Sequence, residues 1–314
     1  MALMKHVVWQ GPVVASLVRT AARAALGRDR GAAAGPPALP GPEVRKTIRP
    51  RPASLVRDYV RHVGGDPAAY RGVVPAHMWP QWGFPLAART LAGVPYPLAR
   101  VLNGGCRMEI RAPLPAGEPL EVSARLEDID DDGRRAVLHQ RVVTGTRDVP
   151  EAVVGHLYAI VPLGGKPGDG AQPPAPRPKK DKPRVPETAQ ELAYWHIPAD
   201  AGLAFAALTG DFNPVHWLRP YAKAFGFRST ILHGFSTMAR AIEGIHRGLL
   251  AGDVTRLRAF DCKFTRPLVL PARVGLYVDG DAAYVGDAPG GAAYLTATFT
   301  VGDPIPTPTN GAKR

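Results

Sequence analysis

Cys106-Arg-Met-Glu-Ile-Arg-Ala-Pro-Leu-Pro-Ala-Gly-Glu-Pro-Leu-Glu-Val122 returns 156 positions later as Cys262-Lys-Phe-Thr-Arg-Pro-Leu-Val-Leu-Pro-Ala-Arg-Val-Gly-Leu-Tyr-Val278, with six identities in 17 ungapped positions. The same shift lays His77 on His233. Self-similarity at one fixed offset is the signature of an internal duplication, here with copies of roughly 100 residues each.

Outward from these stretches, both copies repeat one order of elements. An apolar helix comes first, then a loop, then a second helix, expected over 79–91 and 235–247. Strand-like runs follow at 102–110, 120–129, 136–144 and 153–161 in the first half, and at 257–264, 274–278 and 292–301 in the second. Asp130-Asp131-Asp132-Gly133 is a hairpin turn signal between two of them. Helix followed by consecutive strands predicts an α+β fold, with an antiparallel sheet wrapped around the long helix to bury it. Two copies on one chain allow a pseudo-dimer within a monomer, and a homodimer remains open.

Seven prolines between 167 and 186 forbid a helix or central strand there, so 164–187 reads as an extended Pro/Lys-rich linker. A low-complexity stretch, 31–42, precedes the first half. The expected organisation is an N-terminal helix (13–26) and extended segment over 1–49, a first half over 50–163, the linker, a second half over 188–302, and a tail over 303–314.

The 314 residues carry 39 Lys and Arg against 27 Asp and Glu, a net charge of +12. That excess favours acidic partners, but much of it lies in the termini and linker. No Arg-rich recognition helix accompanies it, so nucleic-acid binding would rest on charge alone. Two cysteines, Cys106 and Cys262, do not make a disulfide framework, which fits a reducing compartment such as the cytoplasm. No apolar run approaches the roughly 20 residues that span a bilayer.

Leu208-Thr209-Gly210-Asp211-Phe212-Asn213-Pro214-Val215-His216 carries the chemistry. Asp-x-Asn-Pro-x-His arises by chance in on the order of one such chain per thousand. Apolar residues before it suit a helix stopping near Gly210. Pro214 forces Asn213 into an extended conformation and can open a new helical turn containing His216. Asp211 and His216 then flank a tight bend, free to converge on one water. Downstream, Ile231-Leu232-His233-Gly234 places a glycine at a helix start, where unpaired N–H groups and partial positive charge gather. A donor there can stabilise enolate-like charge on a thioester carbonyl. His233 alone reads as a supporting or core histidine. No His, Asp or Cys cluster shows metal-ligand spacing, so neither metal nor redox cofactor is expected.

The stretch Asp211–His216, Ala222-Lys-Ala-Phe-Gly-Phe, Ile231-Leu-His-Gly and Arg266-Pro-Leu-Val-Leu-Pro271 resembles the MaoC-like, or hydratase 2, family. The layout is similar to double-domain (3R)-hydroxyacyl-thioester dehydratases of actinobacterial type. The resemblance covers most of 50–300 and implies a double hotdog with a degenerate N-terminal copy. It implies (R)-specific hydration of enoyl thioesters on CoA or acyl carrier protein. Asp211 and His216 would be the catalytic pair, Asn213 would orient them, and the Gly234 N–H would be the oxyanion donor.

The first half departs from this pattern: Asp66-Pro67 has no Asn-Pro-x-His after it, and Met78 stands where the helix-start glycine would be. One active site per chain is expected, with the first half shaping a pocket for the acyl tail. Two rivals are a thioesterase, which would place a carboxylate on the long helix, and a non-catalytic acyl-thioester-binding or assembly protein.

Overall fold

A computed structural model describes residues 2–11, 14, 37–98, 101–163 and 181–307. The expected helix at 13–26, apart from residue 14, and segments 31–36, 164–180 and 308–314 lie outside the described residues. In the first half β1 (Val44–Ile48) leads to α1 (Ala53–His62), β2 (Val73–Val74) and α2 (Pro80–Thr90). Strands β3 (Leu102–Ile110), β4 (Leu114–Pro115), β5 (Leu120–Asp131), β6 (Arg135–Gly145) and β7 (Val153–Pro162) follow. The second half runs β8 (Gln190–Ile197), α3 (Ala201–Thr209), α4 (Arg219–Ala224) and α5 (Gly234–Gly248). It then closes with β9 (Leu257–Phe264), β10 (Ala272–Asp279), β11 (Ala282–Gly286) and β12 (Ala293–Val301).

All the long strands join one antiparallel sheet in the order β1-β5-β6-β7-β3-β9-β12-β11-β10-β8. Read inward from either edge, the two halves have the same connectivity, β1-β5-β6-β7-β3 against β8-β10-β11-β12-β9, so the duplication is one of topology. Each five-stranded half packs against its own helix, α2 or α5, and the arrangement is a double hotdog. The halves meet at β3 and β9, where Cys106 pairs directly with Cys262. These are the two residues the 156-position shift equates, so the pseudo-twofold axis passes between them. Their thiols are buried and unbonded, 3.8 Å apart.

Burial explains which helix became the longer. α5 runs 15 residues and buries Phe235, Met238, Ala239, Ile242 and Ile245 along one face. α2 runs 11 and carries Pro85 in its interior, where a backbone donor is lost. One apolar core runs through both halves, with Trp79 and Phe84 packing edge-on against Phe235 across the boundary.

The expected strands all form, most of them one to three residues longer. Five that the sequence reading missed, β1, β2, β4, β8 and β11, are short or sheet-edge strands. The described end of the linker stretch is not free spacer. Val185 is buried, and its backbone pairs with Gly290 and Gly291 in the turn before β12. Among the described residues no helix is long and apolar enough to cross a membrane.

Candidate active site

α3 ends because Gly210 takes the left-handed conformation, φ +85°, and returns its N–H to the Ala206 carbonyl at 2.7 Å. The chain turns there, and Asp211 begins the bend. Asn213 caps the 3₁₀ turn Pro214–His216 by accepting the Val215 N–H, and donates its own N–H to Asp211 Oδ1 at 3.3 Å. Asn213 therefore orders the backbone of the bend. Its side chain reaches neither the His216 ring nor the Asp211 carboxylate through the hydrogen bonds of the described residues.

His216 is fixed by what surrounds it. Its backbone lies directly over Gly202 of α3, where a Cβ would collide with the His216 carbonyl oxygen. Its Nδ1 lies 2.9 Å from the Ile231 carbonyl, which assigns the proton to Nδ1 and leaves the Nε2 lone pair free. Ile231 is held in turn. It bridges Val269, the Leu232 N–H donates to the Leu268 carbonyl, and the Leu270 N–H donates to the Thr230 carbonyl. Burial lowers the His216 pKa below its ordinary 6.5, partly offset by the Asp211 charge and the Ile231 carbonyl. The ring is a neutral base at physiological pH.

His233, the residue before α5, is buried and stacks on His216 with ring centroids 3.6 Å apart. Its Nε2–H donates to the Asp211 backbone carbonyl at 2.9 Å, so it ties the start of α5 to the bend. Burial, and then the neighbouring His216, press its pKa down to about 3. It is a neutral strut, the supporting histidine of the sequence reading.

Donor atoms of Asp211, His216 and His233 all lie within 4.8 Å of one another. This is a metal-type grouping that linear spacing did not disclose. Stacked rings inclined by only 26°, with centroids 3.6 Å apart, keep their lone pairs in two separate, nearly parallel planes, so the two imidazoles do not aim at one ion in these rotamers. The grouping suits proton exchange better than ligation.

Gly234 opens α5 as expected, but the space over its Cα is filled. A Cβ there would stand 2.9 Å from the Phe264 ring. The glycine is demanded by that packing, and its N–H finds no backbone acceptor among the described residues. Beside Asp211 lies a cleft of about 340 Å³ measured out to its mouth, lined by Met78, Pro80 and Phe84 of the first half and by Phe205 and Phe235 of the second. Sequence reasoning missed Gly202, Phe205, Gln81 and Phe264. A glycine inside an otherwise apolar helix was the one available signal, for Gly202.

The first-half counterpart is closed. Asp66 is exposed and spends its carboxylate on the Ala68 N–H at 2.9 Å, an ordinary cap of the turn Pro67–Tyr70. His77, the counterpart of His233, is buried and holds Glu243 of α5 at 2.9 Å through Nε2. Tyr70 donates to the same Glu243 oxygen at 2.7 Å, and Tyr59 reaches His77 at 3.1 Å. Burial pushes the Glu243 carboxyl up, but hydrogen bonds from His246 and His77 outweigh it and hold the pKa at about 2.

Residues 177–284 match the family model described as MaoC like domain. The chain is 31% identical to the enoyl-CoA hydratase ChsH3 of Mycobacterium tuberculosis over 176 residues, 55% of this chain and 58% of that one. It is 36% identical to the 3-hydroxyacyl-thioester dehydratase X of the same organism over 129 residues, 40% and 43% of the two chains. The match thus spans about half the length of these relatives. The crystal structure of HtdX from M. tuberculosis superposes with a TM-score of 0.63 at 21% identity, covering 82% of this chain and 99% of that one. The second half of this double hotdog is thus similar to MaoC-like domains.

Proposed function

We propose that the second half adds water across trans-2-enoyl thioesters and, in reverse, dehydrates (3R)-hydroxyacyl thioesters. The observation that carries this reading is the pairing of a partly exposed Asp211 carboxylate with a His216 whose Nδ1 is committed to Ile231 and whose Nε2 is free. A water held between them loses a proton to the pair as its oxygen adds to C3. Charge developing on the thioester oxygen is met by the Gly234 N–H at the head of α5. The pair returns a proton to C2 and ends in the protonation state in which it began. The names and overlap of the two M. tuberculosis relatives support this assignment.

The acyl tail would lie in the apolar cleft between the halves. The carrier would be CoA or acyl carrier protein, both acidic and suited to a chain of net charge +12. The protein would work as a monomeric pseudo-dimer or a homodimer, in the cytoplasm, a compartment that suits two free thiols. Glu243 does stand on the long helix, where a thioesterase of this fold would act, but it is locked between His77 and His246.

Hydration of crotonyl-CoA and of a longer trans-2-enoyl-CoA, followed by loss of the enoyl absorbance, tests the reading. Turnover that Asp211→Asn and His216→Ala both abolish is the expected result. Silence of the wild type with CoA and carrier-protein substrates alike would overturn it in favour of a binding protein.

A further inference from the structure

Every helix end leaves carbonyls without intrahelical partners. At the end of α3 two of them, on Ala207 and Leu208, meet amide side chains from outside the second half. Gln81 Nε2 donates to the Leu208 carbonyl at 2.8 Å. Gln10 Nε2 donates to the same carbonyl at 2.8 Å and lies 3.4 Å from that of Ala207. The two glutamines are joined, Gln81 Nε2 donating to Gln10 Oε1 at 3.0 Å, and both are buried. With two carbonyl-type acceptors around the Gln81 nitrogen, its amide can face only one way.

These side chains come from separate places. Gln81 opens α2 of the first half and lines the cleft beside Asp211. Gln10 follows the 3₁₀ helix Ala2–Trp9, which packs on α3 and is anchored by His6 Nε2 on Asp58 Oδ2 at 2.8 Å. Only Thr209 and Gly210 separate the clamped Leu208 from Asp211.

We propose that Gln10 and Gln81 are positioning residues for the Asp211 loop. Through them the N-terminal segment and the first half fix the end of α3, and with it the distance between the carboxylate and His216. The inference rests on the hydration reading above. It gives the first half a part in the reaction besides enclosing the acyl chain.

The test uses the full-length protein with Gln10→Met, Gln81→Met and the double variant, since methionine keeps the shape and removes the donors. Gln140→Met is the control. Gln140 is equally buried and donates to the Ala87 carbonyl at 2.6 Å and to Thr90 Oγ1 at 2.7 Å. That is the same chemistry at the end of α2, with no catalytic loop beyond it. A shift of about 1 Å in reacting groups costs about a hundredfold, and losing one of two donors moves the loop less, so each single variant should lose about fivefold in kcat with little change in KM. Because either glutamine alone keeps the Leu208 carbonyl satisfied, the double variant should lose more than the product of the singles, beyond about 25-fold.

Gln140→Met should lower the melting temperature and leave kcat in place. Histidine-ring NMR gives a readout that needs no turnover: His216 and His233 resonances should move in the Gln10 and Gln81 variants and stay put in Gln140→Met. Absence of hydratase activity in the wild type would sink the function reading while leaving the clamp to be judged by NMR. Unmoved His216 resonances in the double variant, or a kcat loss in Gln140→Met matching that of Gln81→Met, would overturn the clamp.

Discussion

The loop after α1 and the loop after α3 occupy equivalent places in the two halves and have opposite fates. After α3, the chain keeps a carboxylate partly open to solvent, a histidine with one free nitrogen, and a second histidine stacked behind it. After α1, the aspartate is a plain cap and the histidine is sealed into a hydrogen bond with Glu243 from the opposite half. Both places hold a carboxylate and an imidazole. What separates them is whether the polar atoms are left with unused capacity. In the second half a lone pair is free to take a proton, whereas the first half has committed its aspartate to a backbone cap and its histidine to a buttress against Glu243.

Three tests can break or sharpen that contrast. The largest effect is expected at the loops themselves. Asp211→Ala should cut enoyl-CoA hydration by between about 10² and 10⁴, the span of acid–base groups, whereas Asp66→Ala should leave turnover nearly intact. Equal losses at the two positions would mean two working sites. Next, Glu243→Ala strands buried His77 and Tyr70, and each buried hydrogen-bonding group left without its partner costs about 1–3 kcal/mol. Chemical denaturation should show that loss. A stability unchanged within error would mean the buttress holds nothing.

The last effect is in the response to acid. His233 and His62 are buried neutral, with pKa values pressed by burial to about 3 and about 4 from 6.5. Protons therefore bind the unfolded chain preferentially below 6.5, and stability falls as pH drops from there towards 4 and then 3. Glu243, held at about 2 against 4.5, adds its own loss only between those two values. A melting-temperature profile should thus bend twice on acidification. His62→Asn should flatten the upper limb and Glu243→Gln the lower one, and a profile flat between pH 6.5 and 4.5 would contradict the buried-neutral state of the histidines.

Much of this was legible in the chain. The 156-residue offset foretold matching halves, and Asp211, His216 and the Gly234 helix start were marked by local turn chemistry, which is written in adjacent residues. The remainder depends on contacts no local pattern records. Glu243 meets His77 across 166 positions, and Gln10 meets Leu208 across 198. Edge strands such as β1, none of whose residues is fully buried, carry little alternation. Gly234 shows a subtler limit: its type was read correctly, but the space above it belongs to Phe264.

The direct pairing of Cys106 with Cys262 means that two hotdogs share one sheet and one gene product. In an assembly of two identical chains, every substitution appears twice, so an acid that suits one side is forced upon the other. Here the position equivalent to Glu243 is Ala87, and the buried acid exists once. Joined in one chain, the two copies are free to differ, and a buried acid at one position places no demand on the other.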